Sequence, residues 1–122
     1  MRYLAVVDGI IGGEGNGPMS PDAVRAGVIL AGTHPAAVDV VAATLMGFDW
    51  MKIRMLKKVF EIYRKNFVPF SPDDIHITSN NSDWSGSLNH IKNVFCFKPH
   101  FGWVGAIEKS AANRPVPELA AQ

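Results

Sequence analysis

The chain has 122 residues, 48% of them apolar, with twelve basic and eleven acidic side chains and a formal charge of +1. That length suits one small domain with a real core, and the near-neutral balance provides no global field to recruit nucleic acid or anionic lipid. A single cysteine, Cys96, excludes an internal disulfide and any thiolate-only metal site within one chain.

Tyr3 to Asp8 reads as a buried strand, because it is short, continuous and apolar and is closed by Gly9. Asp8 interrupts the apolar run too early for a signal peptide, and no other stretch is long enough to cross a bilayer. The cytoplasm is the compartment these features favour. The glycines are then unevenly spread, with five of eleven falling between Gly9 and Gly17. With Pro18 and Pro21 added, Gly12 to Pro21 is expected to form a loop without regular structure, turning at Asn16-Gly17. Asp22 to Ala26 is expected to make one helical turn, and Gly27 to Ala31 a second buried strand.

Two helices follow, Pro35–Met46 and Trp50–Lys65. Thr33 or His34 caps the first and Gly47 stops it, while Asp49 caps the second. Ile53, Leu56, Phe60 and Tyr63 recur at three- and four-residue spacing in the second helix, and Lys52, Arg54, Lys57, Lys58, Arg64 and Lys65 supply its solvated face. Pro69 and Pro72 break it. Asp74–Thr78 and Asn93–Phe97 are the third and fourth strand candidates, with Cys96 inside the latter as a buried strand residue. Ala106 to Ala112 suggests a short helix. The pattern implies an α/β fold with a mixed sheet of about four strands covered by two main helices, as a single domain over residues 1–112. Residues 113–122, with two prolines, read as a loose tail.

The glycine stretch is the candidate site by chemistry, because glycines let the backbone approach a ligand and aim N–H groups into one concavity. The nucleotide motifs fail. Gly17 is followed by Pro18 and Met19 instead of a Walker lysine and hydroxyl, and no register places glycines at the first, third and sixth positions of a dinucleotide fingerprint. Glu14 opposes a bare phosphate cradle. Asp8 and Glu14 could instead hold a divalent cation such as Mg²⁺, or one carboxylate could act as a general base. Asp8-Gly9 at a strand end is equally consistent with a plain turn.

Asp39 stands among small apolar residues, Ala36 to Ala43, where a carboxylate must find partners or bear a desolvation cost. It is therefore expected to lie close to Asp8–Gly17, either as a structural clamp or as a third catalytic carboxylate. Asp8, Glu14 and Asp39 form the candidate catalytic set. Gly13, Gly15, Asn16, Gly17 and His34 are the candidate ligand-binding set.

Asp8-Gly-Ile, Glu14-Gly-Asn-Gly-Pro18, Gly27-Val-Ile-Leu-Ala-Gly-Thr-His-Pro-Ala-Ala-Val-Asp39 and Met46-Gly47 resemble the domain of unknown function family 362 over about residues 3–58. The resemblance implies correspondence to the carboxyl-terminal portion of that family, which has no generally assigned activity and whose longer members are often described as iron–sulfur-centre proteins. A cluster normally needs four thiolates, so Cys96 alone carries over no cluster.

The remaining histidines lack metal-ligand spacing, and Trp84, Phe101 and Trp103 suit a rim, an interface or burial at a sheet edge. The apolar excess favours self-association, a dimer first of all. The two function classes that follow are a small-ligand or metal-binding domain and a non-enzymatic oligomeric assembly module in which the same loop is structural.

Overall fold

A computed structural model describes residues 2–62 and 67–109. Strand β1 (Ala5–Gly9) pairs antiparallel with β4 (Val28–Gly32), in the register Val7↔Leu30. Burial alternates along both, as one face turns inward. Ala5, Val7, Val28 and Leu30 face the helices, while Val6, Asp8, Ile29 and Ala31 face away.

Between these strands the chain departs from the expected loop. Gly12–Asn16 is β2 and Ser20–Val24 is β3, joined as an antiparallel hairpin through Gly17, Pro18 and Met19. The expected helical turn at Asp22–Ala26 is likewise replaced by β3 and its exit. Glycine is a weak strand former by propensity, so the pairing is supported by something other than side-chain preference. One support is a backbone hydrogen bond from the Gly15 amide to the Lys98 carbonyl, at 2.9 Å.

Helix α1 (Pro35–Leu45) begins where its cap and proline place it. His34 Nδ1 accepts from the Ala36 amide at 3.3 Å, and the His34 Nε2–H therefore donates to the Phe67 carbonyl at 2.8 Å. Val40 is fully buried, and Ala36, Val41, Ala43 and Leu45 join Leu56, Phe60, Val68 and Ile75 in the main core. The helix lies close under β4 because Gly32 has no side chain. A Cβ there would stand 2.7 Å from Val38 Cγ2. Thr44, the buried polar residue of this helix, donates its hydroxyl proton to the Val40 carbonyl at 2.8 Å.

Gly47 ends α1 with φ +89°, and a Cβ at that point would collide with the Phe95 carbonyl oxygen. The next helix is shorter than its sequence period suggests. Asp49 Oδ1 caps a 3-10 turn, Trp50–Lys52, by accepting from the Met51 amide at 3.0 Å. Helix α2 (Arg54–Ile62) follows, with Leu56 and Phe60 inward and Lys57 and Lys58 in solvent. Tyr63, Arg64 and Lys65 of the expected helix lie outside the described residues.

Of the third strand candidate only β5 (His76–Ile77) pairs, with β6 (Gly86–Ser87). The fourth, Asn93–Phe97, is not a strand, and Asn93 enters it with a positive φ of 49°. Its amides bind the end of α1 instead: Phe95 N–H donates to the Leu45 carbonyl at 2.8 Å and Phe97 N–H to Met46 at 3.0 Å. These carbonyls have no partner inside the helix, so the segment caps it. Phe97 then packs with Phe48 and Ile107 in a second core. The chain returns to the same place when Ile107 accepts from the Asp49 amide at 2.8 Å.

Helices and strands thus combine in the expected α/β class, but the strands form three two-stranded antiparallel ladders among the described residues, not one mixed four-stranded sheet. No helix among them is long and apolar enough to cross a membrane. The expected tail at 113–122 lies outside the described residues, as do residues 110–112 of the helix expected at 106–112. Residues 106–109 are not helical: they follow a 3-10 turn, Phe101–Trp103, as turn and coil, with Glu108 bridged to Phe48.

Candidate functional site

The hairpin, one side of α1 and the segment Lys98–Ile107 enclose a groove of about 480 Å³. On the helix, Asp39, Ala42, Ala43 and Met46 follow the i, i+3, i+4, i+7 spacing that stacks side chains on one face. Phe48, Ile53, Met55 and Leu56 continue the apolar floor. Gly13, Glu14, Gly15 and Gly17 form one bank, and Lys98, Pro99, His100 and Trp103 the other.

Glu14 ties the two banks together. Its side chain is only 13% exposed; Oε2 accepts from the Lys98 amide at 2.8 Å and Oε1 stands 3.8 Å from Lys98 Nζ. The first contact is charge-assisted and partly shielded, whereas the second involves an ammonium that is 75% exposed and adds little. With the Gly15–Lys98 bond, these contacts fix the hairpin to the opposite bank. Glu14 is therefore already occupied, and its role in this geometry is to hold the groove's shape.

Asp39 differs. Its side chain is exposed on the groove rim, and it makes no hydrogen bond or ion pair with the described residues. The desolvation expected from its apolar neighbours does not arise, because those neighbours turn inward while Asp39 faces the groove. His100 Nδ1 accepts from the Gly102 amide at 3.2 Å, which leaves Nε2–H as the donor end of the ring. Trp103 is 45% exposed and supplies an aromatic wall.

The other sequence-derived residues separate from this group. Asp8 is exposed on the outer face of β1, outside the groove, and Oδ1 accepts from the Ile10 amide at 3.2 Å, the turn role. Asn16 lines a second groove with Cys96, Asp22 and Lys109. His34 lines a third, between β4 and β5. Among the described residues, no group of three or more histidine, cysteine, aspartate or glutamate side chains is placed to hold a metal ion. Cys96 is exposed instead of buried, because its neighbours Phe95 and Phe97 turn toward the cores on either side of it.

Lys109 is the described group with a displaced acidity. Burial pushes its pKa below the ordinary lysine value, and the nearby Asp49 charge opposes that shift.

Sequence reasoning missed Lys98 and His100 as groove residues. The available signal was the irregular aromatic run Pro99-His-Phe-Gly-Trp103, which suggested a rim without saying which elements it borders.

The fold and this groove define a small α/β module with an apolar cleft crossed by few polar groups, a common form for a small-molecule site. Residues 1–44 match the family model described as Domain of unknown function (DUF362), which bears out the motif resemblance over that span. No curated protein and no solved structure matches the chain.

Proposed function

We propose that the chain is a small-ligand-binding module whose groove takes a compact, mainly apolar molecule carrying an ammonium or other hydrogen-bond-donor head. The observation that carries this reading is Asp39, a carboxylate without a partner among the described residues, on the rim of an apolar cleft. Its charge favours a cationic head, and Met46, Met55 and Trp103 offer polarizable and aromatic surface to the body. The glycines matter because they keep the hairpin bank low. A divalent cation at Asp8 and Glu14 has less support, since the two carboxylates are engaged separately and only Glu14 lines the cleft. Native mass spectrometry of the chain purified from cells tests the reading. The expected spectrum shows a retained small mass in the wild type that is lost in Asp39→Asn. Retention of the same mass by the variant would contradict it.

A second reading, an assembly module, draws on the outer face of the β1–β4 ladder. Val6 and Ile29 are 59% and 65% exposed there, with Asp8 opposite Ile29, and Leu4 and Ile11 near the ends of β1 are 72% and 65% exposed. Several large apolar side chains exposed near one another are commonly buried in an interface. Sedimentation velocity should show a dimer that Ile29→Asp reduces to monomer; a wild-type monomer at all concentrations would dismiss this reading.

A further inference from the structure

The groove of about 400 Å³ between β4 and β5 is bordered in an unusual way. When a strand presents a face to a cavity, alternate residues line it. Here consecutive residues do so on both sides, from Gly27 to His34 and from Asp74 to Asn80. The cavity therefore meets both strands along their edges.

Both edges are open. The ladder partner of β4 is β1, and that of β5 is β6, each on one side. In an antiparallel pair, alternate residues turn their N–H and C=O groups away from the partner strand. No backbone hydrogen bond joins those outward groups of Val28–Gly32 to another described segment, and none crosses from Ile75–Thr78 to β4. A row of donors and acceptors from β4, and a shorter one from the two-residue β5, where the Ile75 amide is already given to the Pro72 carbonyl, thus look into one cleft. Their complement is an extended polypeptide backbone, which alone presents donors and acceptors along both of its edges at the strand repeat.

The side chains around the cleft agree. Val38, Val41 and Leu45 of α1, with Trp84 and Ile91, line its apolar inner side. A strand seated there would send alternate side chains toward this apolar side and the others to solvent. We propose that the cleft between β4 and β5 is a strand-addition site that binds an extended peptide segment of a partner, with small apolar residues at alternate positions. Binding of this kind draws affinity from main-chain bonds and selectivity from the alternate pockets. Proline is excluded from the central positions of such a segment, because it lacks the donor.

The test uses the full chain, ¹⁵N-labelled, and the probe acetyl-Lys-Val-Thr-Val-Lys-Val-amide. A second probe carries the same side chains but has its alternate amides N-methylated, in both possible registers. The first probe is expected to shift the amide resonances of Val28–Gly32 and Ile75–Thr78 and to slow their hydrogen exchange at least tenfold. Both methylated probes should bind at least tenfold more weakly, since each loses one row of donors. Equal binding by the methylated probes would overturn the proposal in favour of side-chain contacts alone. Shifts confined to the outer face of β1–β4, or no shifts at millimolar probe, would overturn it as well. Resonances of Asp39 and Trp103 report the separate groove, so a result there leaves this one distinct.

Discussion

Helix α1 and the segment Val94–Ile107 both bury apolar side chains, yet they are held in place by different means. The helix is fixed by a face: Val40, Val41, Ala43 and Leu45 are buried together, and the 3.6-residue period alone brings them to one core. The segment has no period. It is fixed by named backbone bonds, from Phe95 and Phe97 to the end of α1, from Lys98 to Glu14 and Gly15, and from Ile107 to Asp49. Side-chain pattern specifies the first region and tertiary hydrogen bonding specifies the second. The candidate groove lies where the two meet.

The largest effect should come from cutting into the patterned face. Leu45→Ala removes a side chain that is 4% exposed and should cost roughly 2–5 kcal/mol in denaturant unfolding, with helix and segment lost in one transition. Loss of the segment alone, with the helix intact, would mean that the two regions are held independently. Gly47→Ala should cost roughly 1–3 kcal/mol, because φ +89° disfavours a side chain and the new Cβ must displace the Phe95 carbonyl. Hydrogen exchange should then accelerate at the Phe95 and Phe97 amides while the centre of α1 stays protected. Glu14→Ala should cost roughly 1–3 kcal/mol through the orphaned Lys98 amide, whereas Glu14→Gln, which keeps an acceptor, should cost less than about 1 kcal/mol. Equal costs would mean that the exposed ion pair, and not the backbone bond, holds the hairpin.

The smallest effect is a pH dependence at Lys109. Its folded pKa lies below the unfolded value of 10.5, so the unfolded chain binds the proton more tightly. Stability should therefore rise with pH as the folded pKa is passed, up to about the unfolded value, where the gain is complete. Lys109→Met should remove that slope, as measured by urea midpoints across the alkaline range.

The same division explains what could be read from the sequence. Helix α1 was legible to within a residue, because His34, Pro35 and Gly47 carry its start and stop in their own chemistry. β1 and β4 were legible as apolar runs, although their alternating exposure was not, since both strands place apolar residues on the outer face as well as the inner. The β2–β3 hairpin was hidden by its glycines, which give no strand signal; its support comes from Lys98, 84 residues beyond Glu14. Asn93–Phe97 has strand composition, but its amides are claimed by helix carbonyls. In the site, Asp39 and the hairpin share a groove, although the desolvation argued from its apolar neighbours is not what brings them together, while Asp8, Asn16 and His34 are carried elsewhere by local geometry. The opposite bank depends on a long-range return of the chain that no local pattern encodes.

The most direct test of the groove is an NMR titration with 2-phenylethylamine, an aromatic body with an ammonium head, against 2-phenylethanol as the uncharged control. Shifts are expected at the Trp103 indole and along Gly13–Gly17, with the amine binding about tenfold or more tightly than the alcohol, the size of one charge-assisted hydrogen bond. In Asp39→Asn that preference should vanish while the fold is retained. An unchanged preference in the variant, or shifts that avoid Trp103 and the hairpin, would contradict it.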